Sequence, residues 1–145
     1  MATDTQTPEE LFQQGLERYK AGEEAAALIP IFQKVCDRQP KVASSWICLS
    51  WLYLLDRKSA LAYKTALKAV KLSPEDPQAR INLAIAMLET SQKGVREHIE
   101  AAQNWLMILK EMKEEIVENF EEGKRRRPDW KELERVENWV FENNT

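Results

Sequence analysis

Residues 46–55 read WICLSWLYLL, nine apolar or aromatic residues around a lone Ser50. As a helix this stretch spans about 15 Å, half the ~30 Å hydrocarbon core of a bilayer, so it does not cross a membrane. A helix at the surface of a globular protein keeps a polar face, and this one has none. Both of its sides must therefore be covered, and the fold follows from what covers them.

Outward from this stretch the chain reads as helix throughout. It has 145 residues, 43% hydrophobic and 31% charged, with only four glycines. That is the composition of one globular domain with a real core. No segment shows sustained period-2 alternation of β-branched residues. Pro8, Pro40, Pro74 and Pro77 stand at the starts or ends of helix-like segments. The expected fold class is all-α.

The spacing repeats. Trp46, Leu49, Ser50 and Tyr53 are followed by Ala62, Ala66, Ala69 and Pro74. This matches W-x2-L-G-x2-Y…A-x3-F…P, with Ser in the Gly place and Ala in the Phe place. Thirty-four residues after Leu49 and Ser50 stand Leu83 and Ala84, and thirty-five before Ser50 stands Gly15. Leu11 holds the Trp place of that first unit, Arg18 its Tyr place, and YKAG at 19–22 the turn between helices. On these residues the chain resembles the tetratricopeptide repeat (TPR) family over roughly residues 8–112.

The resemblance implies a three-repeat helical-hairpin solenoid, with repeats at about 8–41, 42–76 and 77–122. Small residues let paired helices approach at the short end of the usual 8–10 Å. Gly15, Ser50 and Ala84 are expected to face Ala27, Ala62 and Ala101, with one extra residue of the first repeat placed near Pro30. Thr7-Pro8-Glu9-Glu10 reads as a capping box with Pro at N1, and Asp76-Pro77 as a second helix start. The apolar periodicity through Val95, Ile99, Ala102, Leu106, Leu109, Met112, Ile116 and Phe120 predicts one long final helix, closed by Gly123. It would cap the open end of the array. A disordered N-terminus at 1–7, a basic linker at 123–128 and a C-terminal helix at 129–145 complete the division. A capping box is expected at Asp129-Trp130-Lys131-Glu132. That last helix carries Trp130, Leu133, Val136 and Val140 on one face and is too short to stand alone. It would dock near Ile116 and Phe120 or in the groove around Trp51 and Leu55. The short linker favours the first.

In the family, the first helix of each pair lines a concave groove. Carried onto this sequence, the groove residues are Phe12, Leu16 and Tyr19, then Ile47, Trp51, Leu54 and Leu55, then Ile81, Ile85 and Leu88. Trp46, Leu49, Ser50 and Tyr53 face the partner helix. WICLSWLYLL is thus apolar once for its own fold and once for the groove. The family's carboxylate-clamp positions hold Phe12, Leu16, Cys48, Gln78 and Asn82, with no positive charge to grip a C-terminal carboxylate. The resemblance therefore implies a scaffold or assembly adaptor that binds an apolar helix or segment of another protein. Small bacterial, especially cyanobacterial, TPR proteins look similar, and some of them assist photosystem or other complex assembly.

Other functions find little support. There is no Gly-rich phosphate loop, no Ser/His/Asp or Cys/His constellation and no HExxH. No enzyme, cofactor, metal or small-molecule substrate is expected. Cys36 and Cys48 lack metal or disulfide spacing and read as reduced core thiols. The single His98 reads as a packing residue. The acidic run EMKEEIVENFEE at 111–122 reads as a solvated helix face. KRRR at 124–127 offers an alternative as a nucleic-acid or anionic membrane-surface site. The net charge of −3 and the lack of interleaved aromatics favour a simpler role, complementing a helix C-terminus. Self-association through the C-terminal helix is a further possibility. The N-terminus MATDTQTPEE has no apolar core of a signal peptide, so a cytoplasmic location is expected.

Overall fold

The computed structural model describes residues 5–142, which form eight α-helices and no strand. Six of them make three hairpins: α1 (Pro8–Lys20) with α2 (Ala25–Arg38), α3 (Ala43–Leu55) with α4 (Ser59–Leu72), and α5 (Pro77–Glu89) with α6 (Val95–Ile108). The hairpins stack through α2 on α3 and α4 on α5. Each of α3 and α5 thereby lies between neighbours, which is why neither keeps a polar face. After a single 3-10 turn at Lys110–Met112 come α7 (Lys113–Arg126) and α8 (Lys131–Phe141).

The first helices start and stop as their local sequence dictates. Thr7 Oγ1 accepts from the Glu10 amide at 3.1 Å, and Glu10 Oε1 accepts from the Thr7 amide at 2.9 Å. Asp76 Oδ1 accepts from the amides of Gln78 and Ala79 at 2.8 and 3.0 Å. Residues 1–4 of the expected disordered N-terminus lie outside the described residues. Gln6 and Thr7 are held, with Gln6 donating to Gln14 and accepting from Arg38. All three first helices end in the same Schellman turn. The amides of Glu23, Lys58 and Gln92 return to Arg18, Tyr53 and Met87. The left-handed position falls on Gly22 in the first turn, but on Arg57 and Ser91 in the others.

The repeat register holds, with two corrections. Gly15, Ser50 and Ala84 occupy equivalent places in α1, α3 and α5 and are buried, as is Ala62. Gly15 does not face Ala27, which is exposed; a Cβ on Gly15 would lie 2.6 Å from the Phe32 ring. The α1–α2 turn has one residue more than the α3–α4 turn, so the insertion sits there and not near Pro30. In α6 the fully buried small residue is Ala102, while Ala101 is half-buried.

The expected long final helix is broken. α6 ends at Ile108, and Leu109 (φ −102°, ψ 63°) turns the chain back toward α3 and α5. No Gly or Pro marks the break; what α7 gains is burial of Ile116 and Phe120. Gly123 does not close the helix, which continues to Arg126. Gly123 is instead a contact point, where a Cβ would lie 2.8 Å from Leu133 Cδ1 and 2.9 Å from Trp51 Cη2. The expected linker shrinks accordingly. The capping box at 129–132 does not form: Asp129 is left-handed (φ 62°) and Trp130 takes the N-cap place without a side-chain bond. Trp130 is buried instead, its Nε1 donating to Glu89.

α8 packs on α5, α6 and α7 through Leu133, Val136 and Val140, all buried. Gln103 of α6 donates to the carbonyls of Trp139 and Val140, covering the end of α8. This helix thus caps the last hairpin and, through Trp130, also reaches the concave side, where the Trp130 and Trp51 rings lie 5.7 Å apart.

Candidate functional site

The segment after α6 crosses the concave side formed by α1, α3 and α5. Midway along α7, Asn119 donates to Gln78 of α5 at 3.0 Å. At the end of α7, Arg126 donates to the carbonyls of Tyr19 (2.6 Å) and Glu23 (2.7 Å) and lies 4.0 Å from the centre of the Tyr19 ring. Arg127 donates to the Leu54 carbonyl at 2.7 Å. Tyr19 and Leu54 are equivalent residues of α1 and α3, so consecutive arginines satisfy the same carbonyl of consecutive repeats. Both sit at helix C-termini, where the helix dipole favours a cation.

The KRRR run is therefore engaged within the fold. Lys124 pairs with Glu121 and Glu137, and Arg125 with Glu122. Arg126 also pairs with Glu122, and Arg127 with Glu89 at 3.0 Å. The dipoles served by Arg126 and Arg127 belong to α1 and α3. Burial pulls the Arg127 guanidinium below its ordinary range, against the pull of Glu89.

Between α7 and the concave side of α1, α3 and the first half of α5 a cleft of about 870 Å³ remains open. Of the residues expected to line the groove, Phe12, Leu16, Tyr19, Ile47 and Trp51 line this cleft. Leu54, Leu55, Ile81, Ile85 and Leu88 lie outside it. Ile81, Ile85 and Leu54 are fully buried, in one cluster with Trp130, Leu133, Val136 and Val140. At these positions the chain's own tail supplies part of the cover over the apolar face.

The polar groups at the cleft floor are satisfied from within. Trp51 Nε1 donates to the Tyr19 hydroxyl at 2.9 Å. Burial, the main cause, raises the Tyr19 phenol above its ordinary value. Asn82 donates to Ser50 Oγ and to the Ile47 carbonyl, and accepts from Gln78. Cys36 is buried and Cys48 half-buried, both unbridged, and burial pushes each thiol up to about 12. They are poor nucleophiles at neutral pH.

The opposite wall was missed by sequence reasoning. Glu115, Glu118, Glu121 and Glu122 of α7 border the cleft, facing its apolar floor. The acidic run itself was visible, but its position depends on the break at Leu109, which has no local signal. Among the described residues no cluster fit to hold a metal ion occurs, and no helix is long and apolar enough to cross a membrane.

No protein-family profile matches the sequence, and no curated protein is significantly similar to it. Solved structures are similar in fold. The Yersinia enterocolitica type III secretion translocator chaperone SycD superimposes with a TM-score of 0.64 at 16% identity, over 92% of this chain and 89% of that one. A type III secretion system complex from Aeromonas hydrophila gives 0.66 at 19% identity, over 95% and 89%. A MamA RS-1 double mutant gives 0.58 at 21% identity, over 92% and 72%. Register, Schellman turns and these likenesses together identify the fold as a TPR-like helical repeat.

Proposed function

We propose that this chain is a non-enzymatic scaffold or chaperone-like adaptor that holds an apolar segment of a partner protein in the cleft between α7 and the concave side. One observation carries the reading: α8 and Trp130 close the third-repeat end of the concave side, yet Phe12, Leu16, Ile47 and Trp51 still line an open cleft. Phe12, Leu16 and Ile47 are half-buried, so each still forfeits part of the ~1.5–3 kcal/mol that full burial of a large apolar side chain yields. An apolar patch kept open at that cost marks a binding surface. The neighbour described as a translocator chaperone suits this reading, as does an assembly role. The rival site, KRRR, has its cations committed to internal partners.

The test is titration of apolar helical peptides into the wild type and into Leu16→Glu, with circular dichroism as a folding control. Leu16 is only half-buried, so the variant should fold, and it should lose binding. Trp51 is a poor choice for this test, because it also anchors Tyr19 and Trp130. Binding undiminished in folded Leu16→Glu would defeat the proposal.

A further inference from the structure

The charges around the cleft are lopsided. Its lining holds five carboxylates, Asp76, Glu115, Glu118, Glu121 and Glu122, against the two cations Lys20 and Arg125. Three of the five are committed: Asp76 caps α5, Glu121 pairs with Lys124, and Glu122 pairs with Arg125 and Arg126. Glu115 and Glu118 are exposed, and no cation among the described residues pairs with either. Three residues apart on α7, they share one helix face and both border the cleft opposite Phe12 and Leu16. The site thus offers an apolar floor and an unneutralised acidic wall.

We infer that the cleft selects a partner segment that is amphipathic and basic, with an apolar stripe on Phe12, Leu16 and Ile47 and Lys or Arg side chains along Glu115 and Glu118. This rests on the binding reading above and narrows it to one chemistry. Complementary charge at the rim of a groove steers encounter and rejects partners of the wrong sign, while the apolar contacts supply most of the affinity. An acidic amphipathic segment would bring like charges together over the same floor.

The test uses two helical probe peptides with one shared Leu/Phe stripe, flanked by Lys in one and by Glu in the other. Each is titrated into the full chain, into Glu115→Lys/Glu118→Lys and into Leu16→Glu. The wild type should bind the Lys peptide about tenfold more tightly than the Glu peptide, the gap narrowing as salt rises. The double charge reversal lies on an exposed face and should keep the fold while inverting the preference. Equal binding of both peptides, lost in Leu16→Glu, overturns the charge selection and leaves the apolar-segment reading standing. Failure of both peptides to bind, or binding untouched by Leu16→Glu, overturns both. A concentration-dependent dimer that Leu16→Glu dissociates also overturns the inference, because a second copy would then fill the cleft.

Discussion

Gly123 shows how much rests on single atoms. It lies inside α7, where alanine is favoured over glycine by about 1 kcal/mol on helix propensity alone. A methyl there would meet the rigid Trp51 ring and the Leu133 methyl. Overpacking of this kind costs about 1–3 kcal/mol, so Gly123→Ala should lower the denaturation midpoint in spite of its better propensity. A rise in the midpoint would show that α7 does not lie against Trp51. His98, the chain's one histidine, offers a pH readout. Its Nδ1 lies 2.9 Å from Arg80 Nη1, which can only donate, so the ring accepts there. Burial first and Arg80 second hold its pKa below 6.5, against the opposing pull of Glu97. Below pH 6.5 the unfolded chain takes up a proton that the folded ring resists. Stability is therefore fully present above 6.5 and declines as pH falls from there through the folded pKa. Urea melts across this range should show that decline in the wild type and lose the His98 component in His98→Gln. A single ring resonance in NMR would report the folded pKa directly.

At the scale of elements, the tail is held by a buried ionic latch. The Glu89 side chain, 4% exposed, accepts from Ser59 of α4 and from Trp130, and pairs with Arg127. Arg127 stacks 4.4 Å from the Trp130 ring centre. Such a group adds little net stability over an apolar equivalent, but losing one partner strands a buried charge at a cost of about 3–5 kcal/mol. Glu89→Gln keeps the shape and removes the charge, and should destabilise by about 3 kcal/mol. Because Arg127 and Trp130 join α7 to α8, limited proteolysis should then cut between residues 127 and 130 faster than elsewhere. Unchanged cleavage and stability would mean that apolar packing alone holds the tail. The break between α6 and α7 belongs to this scale too. Apolar spacing through Leu106, Leu109, Met112 and Ile116 continues across it, so periodicity reads one helix. It gives no sign that Met107 and Ile108, 70% and 65% exposed, end the first of two.

For the whole molecule, three stacked hairpins make a concave side, and the chain's own tail divides it into a closed end and an open cleft. Local chemistry in the sequence determined the hairpins. Small residues recur at one place per repeat, capping residues sit at Thr7 and Asp76, and α3 is apolar on every face, so a repeat stack was legible from spacing alone. Five of the ten expected groove residues, Phe12 to Trp51 in the first two repeats, line the open cleft for the same reason. Only the tertiary structure decided the fate of the other five and of the tail. The fold-back at Leu109, Gly123 against Trp51, and Arg126 and Arg127 on the ends of α1 and α3 are all contacts between distant residues. Helix periodicity records which face of a segment is apolar. It does not record which of two apolar surfaces that face will meet, because each offers similar burial and the choice turns on shape and on the buried polar partners at the join.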